Sequence, residues 1–133
     1  MEAKDLVRKY IEDVWNNGNL VSLAELTTED FVYRLGGQPP RDVREMEQFL
    51  LSIRVAFPDW KVVADKIVGD DEAVAVRWSG AVTHLGPFHG AEATGKTIQV
   101  SGINFYRLEN GKIAEEWEQT DSLGTVSYTH LTL

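Results

Sequence analysis

Apolar residues fall at Leu6, Val7, Tyr10, Ile11, Val14 and Trp15, the i, i+3, i+4 spacing that lines one face of an amphipathic helix. Asn16-Asn17-Gly18 closes that helix, because Asn and Gly accept the left-handed backbone of a last turn. A shorter helix from about 19 to 26 follows, with Asn19 as its N-cap. Phe31 to Leu35 reads as a strand, broken by Gly36-Gly37-Gln38-Pro39-Pro40. A third helix starts near Asp42, which has capping-box spacing to Glu45, with Asp in the cap role. Val43, Met46, Phe49, Leu50, Ile53 and Phe57 give it one apolar face, and Pro58 ends it. The rest reads as strands over about 60–68, 73–84, 97–108 and 112–121, with turns at Gly69-Asp70-Asp71 and Asn110-Gly111. Leu85 to Lys96, carrying three glycines and a proline, is a long loop. Three helices followed by hairpin-linked strands predict an α+β fold, a strongly curved and mainly antiparallel sheet wrapped on the helices. Such a sheet leaves a cavity at its open end, where function is expected.

Composition narrows the picture. At 133 residues the chain fits one domain. A net charge of −8 argues against nucleic-acid and anionic-membrane partners, since nothing would offset phosphate repulsion. With no cysteine, disulfides and thiolate chemistry are excluded, and histidines at 84, 89 and 130 are too scattered for a zinc site. No apolar run reaches the ~20 residues of a membrane span and Met1-Glu2-Ala3-Lys4-Asp5 is no signal peptide, so a cytoplasmic location is expected. Residues 125–133, Thr-Val-Ser-Tyr-Thr-His-Leu-Thr-Leu, resemble a translated transposon-derived sequencing adapter. That reading confines the domain to residues 1–124 and implies a bacterial, metagenomic source. The alternative is a genuine terminal strand.

Candidate chemistry concentrates on the strands. Period-two geometry over the last strand puts Trp117, Gln119 and Asp121 on one face, and Glu116, Glu118 and Thr120 on the other. The first set, with its Trp, is expected to face the core, and the second to be solvated. A carboxylate beside apolar walls has its charged form disfavoured, which raises its pKa toward the range useful for proton transfer. Asp121 is therefore either an acid/base group or a strand-end cap. On the strand about Val74 to His84, Val74, Val76, Trp78, Val82 and His84 share the apolar face. His84 either shuttles a proton or polarises a carbonyl, or else bonds the neighbouring loop. On the next strand Ile98, Val100, Gly102, Asn104 and Tyr106 share a face, so Asn104 and Tyr106 are polar tips on an apolar surface. They either orient an oxygenated ligand or satisfy each other in the core. Arg34 is either a surface ion-pair former or a cation at the pocket rim.

No phosphate-cradling loop, nucleophile elbow or His-Glu-x-x-His occurs, so neither a nucleotide nor a metal cofactor is expected. Several segments together resemble the SnoaL-like polyketide cyclase family, also described as ester cyclase-like, which has the cone-shaped fold of nuclear transport factor 2-like proteins. They include Val14-Trp15-Asn16-Asn17-Gly18, Ala56-Phe57-Pro58-Asp59-Trp60, Thr83-His84-Leu85-Gly86-Pro87-Phe88 and Gly111-Lys112-Ile113-Ala114-Glu115-Glu116-Trp117 with Asp121. The resemblance implies a cofactor-free acid/base enzyme, an aldol-type cyclase or isomerase acting on a hydrophobic keto compound. It carries the family's strand-end aspartate onto Asp121, which would take a proton from carbon beside a carbonyl. His84 joins it in the catalytic set, with Arg34, Trp78, Asn104, Tyr106, Trp117 and Gln119 as substrate-binding residues. Arg34 and Tyr106 depart from the family pattern, where His is common. Two alternatives remain: a non-catalytic binding protein, and an epoxide hydrolase-like enzyme using Arg77 with Asp121. By analogy with the fold, the expected partner is a second copy of the chain.

Overall fold

The computed structural model describes residues 1–88 and 90–121. Its N-terminal amphipathic segment forms α1 over Ala3–Tyr10 and then opens into a π-helical turn over Ile11–Asn16. The widening is visible in the Asn17 N–H, which donates to the Glu12 carbonyl five residues back at 3.0 Å. A π turn gathers successive side chains into a narrower arc than an α turn does, so Val14, Trp15 and Asn16 are all buried. Periodicity alone predicted one continuous α-helix here. The second helix, α2 over Leu20–Leu26, begins where Asn19 caps it by accepting the Ser22 N–H at 3.1 Å. The third, α3 over Val43–Ala56, has the expected capping box: Asp42 accepts the Glu45 N–H at 2.8 Å and Glu45 accepts the Asp42 N–H at 3.2 Å.

Five strands make one sheet: β1 (Thr27–Leu35), β2 (Val63–Gly69), β3 (Ala73–Thr83), β4 (Thr97–Glu109) and β5 (Lys112–Thr120). Their order is β1-β5-β4-β3-β2, with β1 parallel to β5 and every other pair antiparallel. β1 is longer than the predicted strand, and it carries the first half of the chain to the side of the last strand. Asn110 and Gly111 adopt φ of 53° and 76°, the left-handed turn that the Asn-Gly pair predicts. The helices cover one face of the sheet, and the core joins Val7, Tyr10, Val14 and Trp15 to Tyr33, Val74, Val76 and Tyr106. The loop after β3 is pinned to the end of α3, where the Leu85 and Gly86 N–H groups donate to the Ala56 carbonyl at 2.9 and 3.1 Å.

One expectation about this sheet fails. Between β4 and β5 the register slips just past the turn: Leu108 pairs with Ile113 but Arg107 pairs with Glu115. Ala114 is the extra residue, and it is buried along with Ile113. A bulge of this kind reverses which side chains face inward for the rest of the strand. Glu116 and Glu118 therefore lie opposite Tyr106 and Asn104 on the inner face, while Trp117 lies opposite Phe105 on the outer one. Strict alternation had the two glutamates solvated and Trp117 in the core. The suspected foreign tail at 125–133 lies outside the described residues. Among those described, no helix is long and apolar enough to cross a membrane.

Candidate functional site

The inner face of β5 and its neighbours carry a dense group of hydrogen-bond donors aimed at two carboxyls. Tyr10 at the end of α1 donates its hydroxyl to Glu116 Oε1 at 2.6 Å. Trp15, in the π turn, donates its indole N–H to Glu116 Oε2 at 2.9 Å. From β4, the Tyr106 hydroxyl and the Asn104 amide each donate to that same oxygen at 2.8 Å. Glu116 is completely buried with four donors, the number of lone-pair positions a carboxylate offers. Glu118, two residues on, accepts the Tyr33 hydroxyl at 2.9 Å and a longer bond from the same Asn104 nitrogen at 3.3 Å.

Asn104 is the pivot, and its orientation is fixed. The Trp78 indole can only donate, and it does so to Asn104 Oδ1 at 2.8 Å. The amide nitrogen must then point at the carboxyls. Gly102 makes room for this arrangement: a Cβ there would lie 2.7 Å from the Trp78 ring and 2.5 Å from the Gln119 carbonyl oxygen. Only a residue without a side chain lets the indole lie across β4.

The electrostatics follow from burial. Desolvation pushes the Glu116 carboxyl above its ordinary value, opposed by its four donors. Glu118 is pushed up to about 7, first by burial and then by the charge on Glu116, against the bonds from Tyr33 and Asn104 and the attraction of Arg41. Burial and these carboxylates also raise Tyr10, Tyr33 and Tyr106, which keeps them neutral donors.

Glu118 opens onto space. A cavity of about 210 Å³ runs from it to the surface, walled by Phe49 and Ile53 of α3, by Phe57, Trp60 and Trp78, and by Ile98 and Val100 of β4. Gly36, Gln38, Ser101, Thr120 and Asp121 supply polar edges. A second void of about 10 Å³, close to the space of one water, adjoins Glu118, Asn104, Tyr106, Trp60 and Trp78. Largely apolar walls with a few convergent polar groups are the usual make-up of a small-molecule site.

The residues singled out from the sequence divide around this cavity. Trp78 walls it and Asp121 sits on its rim, exposed, with its N–H bonded to the Ser101 carbonyl at 3.0 Å. Asn104 and Tyr106 lie on the expected face but behind Glu118, beside the smaller void. His84 is buried as expected, yet outside the cavity lining: its ring packs on Phe57 at 5.5 Å, and its Nδ1 lies 3.3 Å from Thr94 Oγ1. Three residues are placed differently. The bulge turns Trp117 to the outer face, where it meets Phe105 edge-on at 5.5 Å. Gln119 follows the same parity and is exposed, its amide lying over Gly36. Arg34 is also outside, bound to Glu115 at 2.9 Å, because β1 pairs it beside Trp117 rather than beside an inward residue. Arg77, needed for epoxide-hydrolase-like chemistry, is exposed on the outer side of β3.

Sequence reasoning missed Glu116, Glu118, Tyr10, Trp15, Tyr33 and Trp60. A signal for the glutamates was available. Tyr10, Trp15, Tyr33, Trp78 and Tyr106 all fall on apolar faces and all bring donors, and buried donors need acceptors.

Comparison with known proteins places this geometry. The family model for SnoaL-like polyketide cyclases matches residues 5–127. A structure from Acidithiobacillus ferrooxidans, described provisionally as a polyketide cyclase, is 25% identical and superposes with a TM-score of 0.86 over 100% of this chain and 97% of its own. IdmH of Streptomyces antibioticus, also provisionally a polyketide cyclase, is 26% identical with a TM-score of 0.80, covering 95% and 96% of the two chains. AclR of Streptomyces galilaeus, described provisionally as a hydroxylase, shares the fold at 22% identity and a TM-score of 0.82, over 94% and 92%. No curated protein sequence matches the chain. With nearly its whole length covered by the family model, and the α+β cone of that family around its cavity, the chain belongs to the SnoaL-like polyketide cyclases.

Proposed function

We propose that the protein is a cofactor-independent acid/base enzyme that moves a proton beside a carbonyl of a hydrophobic keto compound. The observation that carries this reading is the pair of unlike carboxyl groups on one apolar cavity, Glu118 deep and buried, Asp121 at the rim. Two carboxyls in different surroundings divide acid and base roles between them. With its value near 7, Glu118 holds its proton for much of the time at neutral pH and can donate a hydrogen bond to a ketone oxygen. Asp121, on the open side, accepts the proton from the adjacent carbon. The C–H bonding pair becomes the enolate double bond, and the carbonyl π pair moves to the oxygen that Glu118 faces.

The enolate carbon then attacks a second carbonyl of the same molecule, folded against Trp60, Trp78 and Phe57. A new C–C bond forms from the enolate double-bond pair as the first carbonyl is restored, the π pair of the second carbonyl moves to its oxygen, and that alkoxide takes the proton Asp121 had accepted, which closes the ring. If no second carbonyl is in reach, the proton returns to carbon and the outcome is isomerisation. Confinement of both ends in one apolar pocket supplies the orientation. His84 is outside the lining and is not assigned a step.

The test is exchange of solvent deuterium into the α-position of a panel of hydrophobic ketones and β-diketones, followed by proton NMR. Wild type should accelerate exchange for at least one compound. Glu118→Gln and Asp121→Asn should each slow it by about 100-fold or more, the usual contribution of a general acid or base. Exchange no faster with wild type than without protein would leave the reading as a non-catalytic binding protein, and equal acceleration by all three proteins would remove both carboxyls from the assignment.

A further inference from the structure

We infer that Glu116 is the positioning residue of the site: with four donors against two it is the first of the carboxyl pair to ionise, and it keeps the remaining proton on Glu118, the member that faces the cavity. This rests on the proposed role of Glu118 and goes beyond it, because Glu116 touches neither cavity.

Three features of the geometry carry the inference. The two carboxyls share one nitrogen, Asn104 Nδ2, at 2.8 Å from Glu116 and 3.3 Å from Glu118. Two carboxylates this close in a buried setting do not both ionise readily, so one proton stays with the pair. The donors are unevenly divided. Glu116 receives Tyr10, Trp15, Tyr106 and the short Asn104 bond, whereas Glu118 receives Tyr33 and the long one. An acid proton on Glu116 Oε2 would displace the indole or amide N–H, neither of which can reverse, and one on Oε1 would force the Tyr10 hydroxyl to accept instead of donate. Charge therefore belongs on Glu116 and the proton on Glu118.

The remaining neighbours do not upset this assignment. Among the described residues, the titratable groups bonded to the pair are Tyr10 from α1, Tyr33 from β1 and Tyr106 from β4, all neutral donors, and Asp121 shares the cavity with Glu118 from its exposed rim. Among the described residues, the cation that acts on Glu118 is Arg41, before α3, which is held by Gln38 Oε1 at 2.7 Å and by the Phe49 ring at 4.3 Å. It favours charge on Glu118 and so works against the arrangement, more weakly than Glu116 works for it.

The experiment follows each side-chain carboxyl by carbon-13 NMR across a pH titration of the intact protein, with Glu118→Gln used to assign the signals. In wild type Glu118 should be the later of the pair to ionise. In Glu116→Gln its midpoint should fall by about one pH unit or more, the scale at which paired sites are coupled. Because that substitution cuts into the core, Tyr10→Phe is the companion variant: it deletes one donor to Glu116 and nothing from Glu118. There the Glu116 midpoint should rise and the Glu118 midpoint should fall, opposite movements that loosened packing would not produce. A Glu118 midpoint that stays in place in both variants, or rises, overturns the inference. The readout is protonation rather than turnover, so it stands or falls separately from the deuterium-exchange test.

Discussion

Glu118→Gln should make the protein more stable at high pH and leave it nearly unchanged at low pH, a prediction that needs no substrate. Glu118 has a folded-state value of about 7 against an ordinary 4.5. A carboxyl raised on folding binds its proton more tightly in the folded chain than in the unfolded one. Stability therefore falls as pH climbs from 4.5 to about 7 and is level above that. At about 1.4 kcal/mol per unit, a shift of this size costs on the order of 3 kcal/mol at pH 8. Glutamine has nearly the shape of the protonated acid, still accepts from Tyr33, and never charges. The assay is urea unfolding of wild type and Glu118→Gln at pH 5 and pH 8. Part of the loss has already occurred at pH 5, so the difference between the two proteins should change by about 2.5 kcal/mol across that interval, in favour of the variant at pH 8. A difference that does not vary with pH would refute the buried, proton-holding description of Glu118.

Three further outcomes follow from the same geometry. Asn104→Leu strands the Trp78 indole N–H and removes a donor from both carboxyls, and should cost about 3 kcal/mol or more in urea unfolding. Gly102→Ala forces a methyl against the Trp78 ring and the Gln119 carbonyl, and should destabilise by about 1–3 kcal/mol while shifting the tryptophan emission. Arg34→Ala removes only the partly exposed pair with Glu115, so it should cost at most about 1 kcal/mol and leave ligand affinity, by calorimetry, unchanged.

Much of the fold was legible because its signals are local. The capping box at Asp42, the Asn19 cap and the Asn110-Gly111 turn each depend on a few adjacent residues, and the apolar face of β3 runs unbroken through Val74, Val76 and Trp78. The candidate site was less legible because it depends on one extra residue. Ala114 adds a step to β5, and from there every inward and outward assignment inverts. That single slip exchanged Glu116 and Glu118 for Trp117 and Gln119, and it was invisible to alternation because a Trp is the natural choice for a core position. The π turn was hidden for a related reason: nothing in the apolar spacing of Ile11, Val14 and Trp15 distinguishes a widened turn from an ordinary one.

The buried pair also weighs against a purely structural account of this core. Taking ionisable groups out of water costs several kcal/mol each, and apolar residues of similar size generally serve stability as well or better. Here the cost is compounded, since two carboxyls share a single amide and, among the described residues, no cation is in bonding contact with either. The fold meets it with three tyrosine hydroxyls, two indoles and an asparagine, drawn from α1, the π turn, β1, β3 and β4. Even the irregular elements contribute, for the π turn holds Trp15 over Glu116 and the β5 bulge turns both glutamates inward. Local departures from regular structure that converge on one costly polar group are what a working site requires and what a structural core would do without. A chain carrying glutamine at both positions, which keeps an acceptor oxygen for the indole and amide donors, should therefore outlast the wild type on heating at pH 8 while losing any exchange activity, and a double variant that is less stable there would assign the pair to structure after all.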